Sequence, residues 1–68
     1  MVYLTFIELD GVLRCNGFAT VPVYSDREIV RGFDEDYLDS LEPCWRDGLW
    51  VRFVLSPDGI LQCTDDNL

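Results

Sequence analysis

The chain has 68 residues, and its 13 acidic and five basic residues give a net charge of −8 with no histidine. A chain this short buries only about 60% of the surface its unfolded form exposes, which predicts one domain over residues 1–68 and leaves little room for an enzyme's core plus cleft. A hydrophobic fraction of 49% excludes disorder, while the acidic balance repels phosphate backbones and anionic lipid and so excludes direct nucleic-acid or membrane binding.

Residues 2–9 are rich in β-formers, and Asp10-Gly11 is a strong two-residue hairpin signal. A type I′ turn there pairs Leu9 with Val12, Glu8 with Leu13 and Phe6 with Cys15. Val2, Leu4, Phe6, Leu13 and Cys15 then share the core face. Tyr3, Thr5, Ile7, Arg14, Asn16 and Phe18 fall on the other. Gly17 suits a bulge, and residues 18–24 read as a continuing strand with Ala19, Val21 and Val23 inward and Pro22 at an edge or kink.

Ser25-Asp26-Arg27-Glu28 has the form of a capping box, serine at N-cap and glutamate at N3. Ile29, Val30, Phe33, Tyr37, Leu38 and Leu41 then recur at helical spacing. Gly32 weakens the first half, so a shorter helix over 35–42 with Asp34 as N-cap is the firmer expectation. Asp34, Glu35 and Asp36 favour the helix dipole there, and Pro43 stops the helix. Arg46-Asp47-Gly48 reads as a turn. Residues 49–56 follow as a strand, with Leu49, Val51, Phe53 and Leu55 on one face and Trp50, Arg52 and Val54 on the other. Ser56-Pro57-Asp58-Gly59 makes a tight turn into a last strand at 60–64, and residues 65–68 read as a frayed acidic tail. The expected architecture is α+β: a two-layer domain with an antiparallel sheet of four to five strands in hairpin–helix–hairpin order, one helix packed on one face.

Three widely spaced cysteines, Cys15, Cys44 and Cys63, form no CxxC pair. An odd number without histidine points to reduced thiols and away from a disulfide framework or an ordinary zinc site, so no metal or cofactor is expected. The N-terminus lacks the basic start and cleavage site of a signal peptide, and no apolar run is long enough to span a bilayer. A cytoplasmic location is the expectation.

The stretch Phe6-Ile7-Glu8-Leu9-Asp10-Gly11-Val12-Leu13 resembles the first motif of the haloacid-dehalogenase-like phosphatases. That family carries an aspartate nucleophile two residues before a second, acid/base aspartate. Here Glu8 stands at the nucleophile position, one methylene too long, and Asp10 at the second. The chain has no lysine to supply that family's later motif, and its length cannot hold the parallel α/β domain. A strand closed by an Asp-Gly turn is the reading kept. No histidine base, Walker loop or ordered calcium loop is present either, which favours a binding function over an enzyme.

Two features carry the functional expectation. Asp34, Glu35, Asp39 and Glu42 lie away from the apolar stripe of the expected helix, with Asp36 flanking it. Such an array fits the basic groove of a protein that normally holds nucleic acid, and its field speeds association at low salt. Trp45 and Trp50, flanking the expected turn with Arg52 nearby, form an aromatic patch suited to a binding hot spot. The leading expectation is a small acidic inhibitor that occludes a basic partner surface. In size and charge alone it resembles the short acidic nucleic-acid mimics of bacteriophages, anti-CRISPR and anti-restriction proteins among them. The alternative is a structural or regulatory homodimer that uses the aromatic sheet face as its seam.

Overall fold

The computed structural model describes residues 1–64; the acidic tail at 65–68 lies outside the described residues. The described residues form an α+β domain with a five-stranded antiparallel sheet and one α-helix. In chain order the elements are β1 (Val2–Leu9), β2 (Val12–Ala19), β3 (Ile29–Phe33), α1 (Glu35–Leu41), two 3₁₀ turns (Trp45–Asp47 and Leu49–Arg52), β4 (Phe53–Leu55) and β5 (Leu61–Cys63). The sheet order is β3-β1-β2-β4-β5.

The first hairpin forms as its turn chemistry dictates. Asp10 and Gly11 both take positive φ, 56° and 81°, which is what a type I′ turn requires. The resulting register pairs Leu9 with Val12, Glu8 with Leu13 and Phe6 with Cys15. A bulge then interrupts the ladder, because Thr5 faces Gly17 and leaves Asn16 as the extra residue. One extra residue inverts the side-chain alternation that follows. Phe18 therefore sits opposite Leu4 on the core face, not on the outer face with Tyr3 and Thr5. Its ring meets Trp45 edge-on, with centroids 4.9 Å apart at 79°.

The segment after β2 departs from its expected course. The strand stops at Ala19, and Val21 and Val23 are exposed, not inward. The capping box does not start a helix either. Ser25 Oγ instead accepts a hydrogen bond from the backbone N–H of Arg27 at 3.3 Å, and residues 29–33 form edge strand β3 against β1. Ile29 and Val30 are β-branched, and glycine at 32 disfavours a helix. A Cβ on Gly32 would lie 2.6 Å from Met1 Sδ and 3.1 Å from the Tyr3 ring. The bare backbone lets those two side chains cross it. Pairing with Val2 to Phe6 of β1 outweighs the weak helical preference. The helix itself begins where its second start signal lies: Asp34 is the N-cap, and Glu35 and Asp36 occupy the first turn.

The stretch 49–52 is the other correction. Gly48, at φ 100°, closes the first 3₁₀ turn by donating to the Trp45 carbonyl at 3.2 Å and opens the second. A strand starting at Leu49 never forms, and Val51, expected on one face with Phe53 and Leu55, is 53% exposed while those two are buried. Strand pairing begins only at Phe53. The second turn forms as expected, with Gly59 N–H donating to Ser56 O at 2.9 Å. The core comprises Val2, Leu4, Phe6, Cys15, Leu38, Trp45, Phe53, Leu55 and Leu61.

Candidate partner-binding surfaces

The five acids expected to act together serve two different ends. Asp39 Oδ1 accepts hydrogen bonds from the indole Nε1 of buried Trp45 at 2.8 Å and from Arg46 Nη1 at 2.9 Å. Arg46 also pairs with Glu35 through its other terminal nitrogen, and its guanidinium lies over the Trp45 ring, 4.5 Å from the centroid. The indole hydrogen bond, with Arg46 behind it, holds the Asp39 carboxyl below its ordinary pKa. The bond to Glu35, with Asp39 behind it, holds the Arg46 guanidinium above its own. One turn further on, Glu42 Oε2 accepts from Arg52 Nη1 at 3.3 Å and lies 3.6 Å from Cys63 Sγ. Glu35, Asp39 and Glu42 are thus fastened within the chain. Asp34 and Asp36 are exposed and have no side-chain partner among the described residues.

The aromatic half of the expected site changes more. Trp45 is only 1% exposed, one of the largest fully buried side chains, so it is a core residue and cannot anchor a rim. Trp50 is partly buried against the same cluster. The two indoles lie in successive 3₁₀ turns, not across a hairpin. Arg52 also lends its carbonyl to the backbone N–H and hydroxyl of Thr64, at 2.9 and 3.2 Å.

Sequence reasoning missed the surface at the other end of the molecule. Leu9 pairs with Val12 and Leu13 with Leu55, so the Asp10-Gly11 and Pro57-Asp58-Gly59 turns lie at one end of the sheet. β3 begins beside them, with Ile29 opposite Phe6. Strand alternation places Glu8, Leu13, Ile29 and Leu55 on the core face, and this end of that face opens as a groove of about 470 Å³. Leu13, Ile29, Leu55, Val12 and Pro57 line it, and Glu8 is its one charged lining residue. The available signal was the hairpin register, which put Glu8 next in line after Val2, Leu4 and Phe6.

On the opposite face a polar chain ties down the segment before β3. The Thr5 hydroxyl donates to Asn16 Oδ1 at 2.6 Å, and Asn16 Nδ2 donates to Glu28 at 2.5 Å. The bulge residue thereby becomes a bracket. Burial pushes the Cys15 thiol up to about 11, so it stays protonated and unreactive at neutral pH. Among the described residues no group of acidic or cysteine side chains is arranged to hold a metal ion, and no helix is long and apolar enough to cross a membrane. No family model matches the chain, and comparison with curated proteins and with solved structures finds no match.

Proposed function

We propose that this chain is a small acidic protein-binding module that seats on the basic surface of a cytoplasmic partner and inhibits it by occluding a nucleic-acid site. The observation that carries the reading is the residue of charge left after internal pairing. Among the described residues, Glu8, Asp10, Asp26, Asp34, Asp36, Asp47 and Asp58 are exposed carboxylates with no side-chain partner. Only Arg27 and Arg31 stand exposed and unpaired against them. A marginal domain gains nothing in stability from such self-repulsion. The excess supports selection for an electrostatic partner, through accelerated encounter and rejection of anionic competitors. Leu38, in the buried cluster with Leu4 and Phe6, supports a two-layer arrangement with α1 on that face, which presents Asp34 and Asp36 on a rigid element.

The test is capture of a basic nucleic-acid-handling protein, followed by association kinetics between 50 mM and 500 mM salt. The Asp34→Asn/Asp36→Asn double variant should associate more slowly, with a flatter salt slope. Asp39 is left intact, because its loss would also disturb Trp45. DNA or RNA should compete with the chain for the captured partner. An unchanged salt slope, or simultaneous binding of nucleic acid and chain, would defeat the occlusion reading.

A further inference from the structure

We propose that the groove between the two hairpin turns is an anchor site for a large apolar side chain carried on a cationic segment of the partner protein. This rests on the reading of the partner as basic and names the contact that supplies its specificity. Three observations converge on that occupant. The groove's lining is mainly aliphatic, from Leu13, Ile29, Leu55, Val12 and Pro57 with Ser56 as a neutral polar member, and its volume of about 470 Å³ lies within the range of sites that accept a small ligand or side-chain cluster. Its charge is of one sign: Glu8 lies in the lining, while Asp10 and Asp58 belong to the turns at the same end. All three carboxylates are exposed and lack a side-chain partner among the described residues. An anionic amphiphile would be repelled, and a neutral apolar ligand would leave this charge unanswered. A leucine or phenylalanine flanked by lysine or arginine satisfies both surfaces, because burial of the apolar group lowers the local dielectric around the flanking ion pairs.

The groove also has a firm floor. Leu55 is 3% exposed and part of the buried cluster, whereas Ile29, at 40%, forms an accessible wall. A side chain that docks there covers Ile29 and extends the core outward from Phe6, its register partner.

The experiment is a titration of the ¹⁵N-labelled chain with three capped tetrapeptide amides: lysine–leucine–leucine–lysine, lysine–glycine–glycine–lysine and glutamate–leucine–leucine–glutamate. The first should shift the amides of Glu8, Val12, Leu13, Ile29 and Leu55, and bind roughly ten-fold more tightly than the glycine peptide, the factor expected for burial of one leucine. The glutamate peptide should leave those amides in place. Ile29→Ser should abolish the difference between leucine and glycine peptides, and Glu8→Gln the preference for lysine. Equal binding of the first two peptides, or shifts confined to Asp34–Leu38, would overturn the anchor site and leave the occlusion reading standing. Loss of the salt-dependent capture described above, with groove shifts intact, would do the reverse.

Discussion

Carboxylates at the two ends of this molecule do different work. Around α1, Glu35 and Asp39 are bound up with Arg46, and Glu42 with Arg52. They hold the 3₁₀ segment against the helix and satisfy the one polar atom of a buried tryptophan. At the turn end, Glu8 lines an apolar groove, Asp10 and Asp58 stand in the adjoining turns, and none of the three has a side-chain partner among the described residues. The residue type is the same, and the location of the arginines makes the difference. A patch of acids on a helix is therefore a poor guide to a binding surface until its internal partners are known. Among the described residues, the exposed carboxylates without a side-chain partner are those that no arginine takes up, including Asp34 and Asp36 at the helix start as well as Glu8, Asp10 and Asp58 at the turn end.

The comparison breaks most sharply at Trp45. Trp45→Ala should cost about 3–5 kcal/mol, a large part of the roughly 3–10 kcal/mol that a domain of this size holds. It should abolish a cooperative urea transition or move its midpoint far down, while Ile29→Ser at the groove leaves a folded chain. Asp39→Ala should come next, because it strands the buried indole N–H. Asp39→Asn, which keeps an acceptor, should be the milder of the two, and the urea midpoints of the pair give the ranking.

The pH dependence sharpens the same contrast. Asp39 titrates below its ordinary value in the folded chain, so its contribution is complete above the unfolded carboxylate value near about 4 and is lost as pH falls through the lowered folded value. The stability of Asp39→Asn should therefore fall less between pH 5 and pH 2 than that of the wild type. Gly11→Ala, at φ 81°, should cost about 1 kcal/mol and should loosen the groove end without touching the Arg46 cluster. The smallest effect belongs to Asp34→Asn/Asp36→Asn, which should move the urea midpoint only slightly, because neither carboxylate has a side-chain partner among the described residues and only their attraction to the helix N-terminus is lost. A clear drop there would show that these acids, too, are structural.

Local chemistry made part of this legible in advance. Asp10-Gly11 dictates its turn because few other pairs accept two positive φ angles, and the turn in its turn dictates register as far as Phe6 and Cys15. Asp34 marked the helix start, and Ser56-Pro57-Asp58-Gly59 the last hairpin. Beyond those points local signals competed and contacts distant in sequence chose between them. The capping box at Ser25 lost to a free edge of β1 that residues 29–33 could pair along. The alternation at Leu49–Arg52 lost to Gly48, whose left-handed backbone closes one 3₁₀ turn and opens another. The bulge at Asn16 turned Phe18 to the core face against Trp45, and Trp45 is buried, which leaves Trp50 and Arg52 as the partly exposed members of the expected aromatic patch.

Composition determined that the chain folds and that its surface is acidic, because both follow from sums over residues. Hairpin turns and helix caps were determined by neighbours within a few positions. Which acids are spent on arginines, and which stand beside an apolar groove, was decided only when strands far apart in the chain came into register. Ion pairs and grooves depend on distances across the fold, and no local spacing contains them.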